Sequence, residues 1–299
     1  MSSDKVAVQK YNRALIDEKV AQAREAEKRQ NLKRGLHESV AAHATYVPTT
    51  AGDIRVLEYG FEQSTLQPLL IDLHGGGFIM NTADIDEKML LRIRGRVPYC
   101  KCISIDYPKA PEHPFPAAPD AVYEVVSAYM KQAEQRGINT ERVVIAGHSA
   151  GGNLAAVTCL RAAQKGEWSF CGQILDYPPL DLATPASEKP QPEGAIPVEL
   201  ADLFDACYIT SHDPCDPDIS PVRADPALLC KVPRALIISC GIDSLGKESK
   251  QYAHLLEQAG VPVELVEYPQ ERHGFTYDET LSANEAVDHM AAFLGKCIS

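Results

Sequence analysis

Apolar residues along this chain fall into short continuous runs, which alternate with longer segments where they recur every three or four positions. Continuous runs are typical of strands in a parallel sheet covered on both faces, and the wider spacing is typical of amphipathic helices. The runs predict strands at residues 55–59, 68–73, 101–105, 142–146, 171–175, 235–239 and 263–267. The intervening segments predict helices at residues 117–134, 150–164, 198–208, 249–258 and 283–294. This alternation predicts an α/β fold with a mostly parallel central sheet flanked by helices.

Two segments depart from this alternation. The first forty residues lack proline, and their apolar residues recur at helical steps, as at Val8, Tyr11 and Leu15 and again at Leu32, Leu36 and Val40. Residues 184–197 contain four prolines and few apolar residues, which predicts an insertion over the sheet. We therefore predict a helical cap segment at 1–45, a first core part at 46–183, a cap insertion at 184–215 and a second core part at 216–299.

Charge and composition exclude several classes of partner. The chain has 29 Lys and Arg against 41 Asp and Glu, a net charge of −12, whereas nucleic-acid-binding proteins usually carry a basic balance or stripe. No stretch approaches the roughly 18 apolar residues of a membrane span, and the first 20 residues lack the pattern of a signal peptide. We therefore expect a cytoplasmic protein that binds neither nucleic acid nor membranes stably. Its nine scattered cysteines then indicate reduced thiols.

A serine lies at a turn that the pattern places between a strand and a helix. The segment Gly147-His148-Ser149-Ala150-Gly151 fits Gly-X-Ser-X-Gly, and it follows the predicted strand at 142–146 and opens the predicted helix at 150–164. A strand, a sharp turn and a helix are the setting of a nucleophile elbow, which exposes the serine hydroxyl above the sheet. A serine in an ordinary turn is the alternative.

Three successive glycines follow another predicted strand. They belong to His74-Gly75-Gly76-Gly77-Phe78, directly after the strand at 68–73. Glycines allow backbone N–H groups to point into a cavity, which a developing oxyanion requires. A phosphate-binding loop would continue with Gly-Lys-Ser or Gly-Lys-Thr, which is missing here, and a flexible turn is the remaining alternative.

A serine nucleophile needs a histidine base held by a carboxylate. In this type of sheet the acid and then the histidine follow the serine along the chain, just past strand ends. Asp243 follows the predicted strand at 235–239, and His273 follows the strand at 263–267. Glu248 and Glu271 are alternative acids, but Glu248 falls where a helix begins and Glu271 shares the loop of the histidine. We predict Asp243 and His273.

One group of residues weakly suggests a metal. His212, Asp213, Asp216 and Asp218 lie close together in sequence, but their spacing lacks the glycine and the final glutamate of a calcium loop. The neighbouring prolines favour plain turns. We expect neither a metal nor a cofactor.

These motifs together resemble the hormone-sensitive-lipase family of α/β-hydrolase carboxylesterases, which includes bacterial acetyl esterases and arylacetamide deacetylase-like enzymes. Residues 106–118, Asp-Tyr-Pro-Lys-Ala-Pro-Glu-His-Pro-Phe-Pro-Ala-Ala, resemble the family's Tyr-Arg-Leu-Ala-Pro-Glu-His-Pro-Phe-Pro-Ala-Ala. The resemblance runs from about residue 52 to residue 296. It implies an α/β-hydrolase fold with a helical cap, formed by the first forty residues and the insertion after Leu182.

The resemblance also implies roles for individual residues. Ser149 would be the nucleophile, His273 the base and Asp243 its partner, and the oxyanion hole would consist of the amides of Gly76, Gly77 and Ala150. Four sites depart from the family's pattern: His148 replaces Asp, Pro108-Lys109 replaces Arg-Leu, Asn81 replaces Gly, and Gly246 replaces an acidic residue. None removes a triad member. His148 predicts a pH-dependent charge beside the serine, and the Pro108-Lys109 replacement predicts the loss of an ion pair.

We therefore predict a serine carboxylesterase that hydrolyses short-chain acyl esters through an acyl-enzyme. Its partner would be a small-molecule ester, and a homodimer is left open. With neutral His273 as the base, activity should fall below about pH 6.5. An amide hydrolase of the arylformamidase or deacetylase type, using the same triad, is the main alternative. A non-catalytic ligand-binding receptor is a more remote one, because such proteins lack the histidine that is present here.

Overall fold

The computed structural model of the protein describes residues 13–62 and 65–299. Its strands are β1 (His43–Thr49), β2 (Gly52–Tyr59), β3 (Gln67–Leu73), β4 (Lys101–Ile105), β5 (Ile138–His148), β6 (Gly172–Asp176), β7 (Ala235–Ile242) and β8 (Val263–Arg272). They form one sheet in the order β1-β2-β4-β3-β5-β6-β7-β8. β2 pairs antiparallel with β1 and with β4, and all pairs from β4 through β8 are parallel.

Helices cover both faces of the sheet. They are α1 (Arg13–Lys33), α2 (Glu87–Arg96), α3 (Ala117–Lys131), α4 (Ala133–Arg136), α5 (Ala150–Lys165), α6 (Val198–Tyr208), α7 (Pro226–Leu229), α8 (Gly246–Gln258) and α9 (Leu281–Ile298). α5 packs on β5 and β6, and α9 packs against α2 and the sheet. Each face of the sheet therefore has its own hydrophobic core.

The two cores explain the continuous apolar runs of the sequence. Leu69 and Ile71 of β3 belong to the core on one face, whereas Leu70 belongs to the core on the other. Successive residues of a strand point to opposite faces, so a strand that is buried on both sides needs apolar residues at every position. The predicted α/β fold with a mostly parallel sheet is confirmed, and each of the seven predicted strands is present.

The pattern missed β1, α2 and the short helix α7. β1 is an edge strand in which Tyr46 is largely exposed and Pro48 occupies a strand position, so it lacks the apolar run of a central strand. α2 alternates charged and apolar residues over ten positions, and it was not predicted. The helix expected at 117–134 is divided at Gln132 into α3 and α4.

The helical prediction for the first forty residues is right for α1, but the predicted apolar face is only partly right. Leu15 is half-buried, and Leu36 is buried although it lies beyond the helix. Val8 and Tyr11 lie outside the described residues. Leu32 is 59% exposed, and Val40 lies beyond the helix and is 91% exposed. The buried positions of α1 are Val20 and Asn31, because polar contacts as well as apolar ones hold this helix to the core.

The segment predicted as an insertion contains a short 3-10 turn at Ala186–Glu188 and then α6, and α6 packs against α1. The boundaries of the cap and core segments stay predictions. Among the described helices, none has both the length and the apolar composition that a bilayer crossing requires.

Candidate active site

The serine of the Gly-X-Ser-X-Gly motif occupies a strained turn at the end of β5. Ser149 has φ 51° and ψ −120°, a conformation that is unusual for a residue with a side chain, and its N–H donates to the Asp176 carbonyl at 2.9 Å. The glycines around it allow this turn. A Cβ on Gly147 would lie 2.1 Å from the Gly151 oxygen, and one on Gly151 would lie 1.9 Å from the Leu73 oxygen. The chain therefore passes through a space that only glycine fits.

Three distant side chains meet at the carboxyl edge of the sheet. The distance from His273 Nε2 to Ser149 Oγ is 2.8 Å, and that from His273 Nδ1 to Asp243 Oδ2 is also 2.8 Å. The other carboxylate oxygen of Asp243 accepts a hydrogen bond from the Leu245 N–H at 3.1 Å. This arrangement keeps the proton on Nδ1 and leaves Nε2 able to accept the serine proton.

The electrostatics of His273 reflect two opposing effects. Burial of the ring disfavours its protonated form, while the Asp243 carboxylate favours that form, and the net result is a pKa raised above the ordinary histidine value. The alternative acids lie elsewhere. Glu248 is buried in an ion pair with Lys189, and Glu271 lies in β8 without a hydrogen bond to His273 among the described residues.

The glycine loop after β3 faces the serine. A Cβ on Gly75 would lie 3.5 Å from the Ser149 Cβ, and Gly76 and Gly77 have φ angles of +134° and +57°. No acceptor among the described residues takes a hydrogen bond from the backbone N–H of Gly76, Gly77 or Ala150. Three unused amide donors beside a serine hydroxyl can stabilise a negatively charged oxygen.

A cavity of about 50 Å³ opens over Ser149. Most of its lining is apolar, and the segment after Leu182 supplies its roof, with Ala186, Ile196, Ala201 and Phe204. A larger cavity, of about 290 Å³, lies near Trp168 at the amino ends of β6 and β7 and contains none of the three residues of the triad. The smaller cavity is therefore the one that is placed for chemistry at Ser149.

His148 lies in a buried polar network that sequence reasoning missed. Only 2% of the His148 side chain is exposed, its Nδ1 lies 2.8 Å from Asp176 Oδ2, and its Nε2 lies 3.4 Å from Asp72 Oδ1. Thr276, three residues after His273, donates to Asp176 Oδ2 at 2.7 Å. Tyr277 donates to Asp86 Oδ1 at 2.6 Å. The network thus connects the strand before Ser149 with the loop that carries His273.

This environment determines the charge of His148. Burial disfavours the imidazolium, but hydrogen bonds to Asp176 and Asp72 outweigh it and raise the pKa well above the ordinary value. Burial and the Asp72 carboxylate also raise the pKa of Asp86 well above its ordinary range. The signal in the sequence was the presence of Asp72 and Asp176 inside otherwise apolar strands, where a charge needs a partner.

Among the described residues, one cluster has the geometry to hold a metal ion. It consists of Asp72, Asp86 and His148, whose donor atoms lie within 4.8 Å of one another. A protonated His148 already supplies a cation to these carboxylates. The metal site that the sequence weakly suggested at residues 212–218 consists of turns. There Asp213 and Asp216 accept backbone hydrogen bonds from Cys215 and Asp218, each at 2.9 Å.

Three departures from the family pattern have structural roles. Lys109 forms an ion pair with Asp106, while the loss of the ion pair of the family's arginine stays a prediction. Asn81, with φ 68°, donates to the Gly75 carbonyl at 3.2 Å and accepts from Asn31 of α1 at 2.8 Å. A Cβ on Gly246 would lie 2.7 Å from the Cys240 oxygen, so a larger residue would require a backbone shift.

Comparisons with known proteins agree with this geometry. A family model described as the alpha/beta hydrolase fold matches residues 70–277. The chain is 33% identical over 238 residues to the carboxylic ester hydrolase LipN of Mycobacterium tuberculosis, covering 77% of this chain and 62% of that protein. It therefore spans less than two thirds of that relative's length. It is 28% identical to an acetyl esterase of Salmonella schwarzengrund, covering 85% of this chain and 80% of that one.

The architecture also matches solved structures. An esterase of Pyrobaculum calidifontis superposes with a TM-score of 0.85 at 30% identity, over 94% of each chain. EstE1, a thermostable carboxylesterase from a metagenomic library, superposes with a TM-score of 0.85 at 27% identity, over 95% of this chain and 98% of that one.

Proposed function

The chain belongs to the alpha/beta hydrolase family, and from this membership and the geometry of Ser149 we propose that it is a serine carboxylesterase for short-chain acyl esters. The observation that carries the proposal is the hydrogen-bonded series Ser149–His273–Asp243 beside three unused amide donors. Relatives and structural neighbours that are named as esterases support the choice of ester hydrolysis among the reactions of this family.

The proposed reaction has two halves. His273 Nε2 accepts the hydroxyl proton of Ser149 as Oγ attacks the ester carbonyl, and the amides of Gly76, Gly77 and Ala150 bind the oxyanion. The histidine then gives its proton to the leaving alcohol, which leaves an acyl group on Ser149. In the second half, His273 takes a proton from water as the water oxygen attacks the acyl carbonyl, and it then returns this proton to Ser149 Oγ as the acid is released. Asp243 holds the imidazole in the required tautomer throughout.

The preference for short acyl chains rests on the cavity over Ser149. A cavity of about 50 Å³ that is closed by Phe204 and Ile196 has room for only a few carbon atoms. Hydrolysis of p-nitrophenyl esters of increasing length should therefore be fastest for short chains. A preference for acyl chains beyond about ten carbons would contradict this part of the proposal.

The first prediction is that Ser149→Ala lowers kcat by roughly 10⁴-fold or more, because no other hydroxyl of the described residues contacts His273 Nε2. The variant should keep the circular dichroism spectrum of the wild type. Retention of more than about a tenth of the activity in purified protein would overturn the nucleophile assignment.

Matched esters and amides, assayed in parallel, separate the esterase from an amide hydrolase with the same triad.

A further inference from the structure

The cavity over Ser149, which the proposed function makes the substrate cavity, has two charged residues in an otherwise largely apolar lining. These are Lys189, in the segment after Leu182, and Asp205, on α6. A charge in an apolar cavity is costly unless a partner compensates it. The two residues differ in whether the protein supplies that partner.

Lys189 has its partner within the wall. Its Nζ lies 2.9 Å from Glu248 Oε2, and the two side chains are 12% and 6% exposed. The other carboxylate oxygen of Glu248 accepts the Leu180 N–H at 3.0 Å. Wherever Glu248 is ionised, the Lys189–Glu248 pair is therefore neutral as a unit and satisfied by hydrogen bonds.

The described part of the chain supplies no such partner to Asp205. Among the described residues, no side chain or backbone N–H forms a hydrogen bond or an ion pair with its carboxyl group, although this group lines the same cavity as Ser149. Burial raises its pKa to about 7, partly opposed by the charge of Lys189. When it is ionised, a carboxylate without a partner gives the cavity an uncompensated negative charge. A cationic group of the substrate can compensate this charge.

The residue before Asp205 provides a second feature of a cation site. Phe204 lines the same cavity and lies over the oxyanion loop, where its ring is 2.7 Å from the position of a Cβ on Gly77. The face of an aromatic ring attracts ammonium groups, most strongly where water is excluded. A carboxylate and an aromatic ring, adjacent on α6, therefore line one small space above Ser149, with one face of the ring packed on Gly77.

We propose that Asp205 selects esters that carry a positively charged ammonium group in the acyl or the alcohol part, within reach of this cavity. The inference rests on the proposed esterase function and adds the charge of the substrate to it. A neutral ester of the same shape would leave the carboxylate without a partner, so it should be hydrolysed less efficiently.

Two isosteric substrate pairs test the proposal. Acetylcholine and 3,3-dimethylbutyl acetate differ in the charge of the alcohol, and β-alanine ethyl ester and ethyl butanoate differ in that of the acyl group. The measured quantity is the ratio of kcat/KM for the cationic member to that for its neutral partner. Because each ratio is compared between the wild type and variants, the intrinsic reactivity of the esters cancels.

In at least one pair, Asp205→Asn should lower the ratio by about threefold or more relative to the wild type. Glu199→Gln is the matched control, because it removes the same charge from an exposed position of α6 outside the cavity, and its ratios should equal those of the wild type. Should Asp205→Asn not fold, inhibition of the wild type replaces the comparison. Choline should then inhibit hydrolysis of p-nitrophenyl acetate at a lower concentration than 3,3-dimethylbutanol.

The pH dependence of the acetylcholine ratio provides a second readout. Both esters of the pair use the same triad, and the choline charge does not titrate, so the wild-type ratio should rise with pH through about 7 as Asp205 ionises. The charged groups around it are Lys189, Glu248 and, on α6, Asp202. The pKa of Glu248 is also about 7, so titration of either carboxyl group can produce a pH-dependent ratio in the wild type. The proposal therefore requires the ratio of Asp205→Asn to be independent of pH.

The outcomes distinguish the two levels of the proposal. If neutral esters are hydrolysed but the ratios of both pairs change by less than about threefold in Asp205→Asn, charge selection by Asp205 is wrong and the esterase stands. A pH-dependent ratio that persists in Asp205→Asn also overturns the inference. If the enzyme hydrolyses no member of either pair and no p-nitrophenyl ester, the proposed function fails and the inference fails with it.

Discussion

At the scale of the single residue, His273 combines burial with a carboxylate partner, and the partner has the larger effect on its charge. The sequence alone predicted an acidic limb of kcat/KM near the ordinary pKa of histidine. In the structure the pKa is raised above that value. A general base must be unprotonated. As the pH is lowered, kcat/KM should therefore begin to fall at a higher pH than it would with a histidine of ordinary pKa.

The same contact predicts the effect of removing the acid. Asp243→Asn should lower kcat by about 10³- to 10⁴-fold, because Nδ1 loses the acceptor that sets its tautomer. It should also move the acidic limb of kcat/KM to lower pH, since the carboxylate that raises the pKa of His273 is gone. Glu271→Gln is the control in the same region. If Glu271→Gln were the damaging variant and Asp243→Asn the mild one, the assignment of the acid would be reversed.

His148 shows a different use of a buried histidine. It lies between Asp176 and Asp72, so removing its charge would leave buried carboxylates without compensation. His148→Ala should reduce the free energy of unfolding by about 3–5 kcal/mol, measured by urea denaturation at neutral pH. His254→Ala, at an exposed position of α8, should change it by less than about 0.5 kcal/mol. Equal effects of the two variants would show that the network carries no net charge interaction.

At the scale of the element, α1 is attached to the site by polar side chains. Arg24 donates to the carbonyls of Ile79 and Ala110 at 2.8 and 3.1 Å, and it forms a two-fold contact with Glu112 at 2.7 Å. Its hydrogen bonds lower the pKa of Glu112 to about 2. The Ile79 carbonyl lies directly after the glycine loop, so α1 helps to hold the amides of this loop in place.

Arg24→Met should therefore affect catalysis more than an ordinary surface substitution does. We expect kcat/KM to fall by about tenfold, because a shift of the glycine loop by a fraction of an ångström misaligns its amides. Arg29→Met removes an exposed arginine of the same helix, whose contact with Glu25 is 3.6 Å long, and it should leave kcat/KM unchanged. Similar activity of the two variants would mean that α1 does not position the loop.

The elements also show what a sequence pattern can reveal. Strands such as β3 were predicted because burial on both faces leaves a continuous apolar run, whereas β1 was missed because an edge strand does not need one. The buried face of α1 was predicted only in part, because Asn31 and Arg24 make the main contacts of this helix. Polar contacts of this kind leave no apolar spacing in the sequence.

At the scale of the whole molecule, the family resemblance drawn from the motifs is confirmed, and the sheet brings together residues that are 124 positions apart in the chain. The proximity of Ser149, Asp243 and His273 could be predicted because the carboxyl ends of parallel strands share one edge. The partners of His148 could not be predicted, and neither could the lack of a partner for Asp205 among the described residues. Both depend on how side chains from distant elements pack together, and the spacing of residues along the chain does not reveal this.

The central claim is that Ser149 carries the acyl group during turnover. Acid-quenched enzyme, mixed for milliseconds with excess p-nitrophenyl acetate, can be digested and its peptides weighed by mass spectrometry. We expect an acetyl adduct on the peptide that contains Ser149, at close to one equivalent, and none in Ser149→Ala. Rapid turnover without any adduct on that peptide, and with Ser149→Ala equally active, would contradict it.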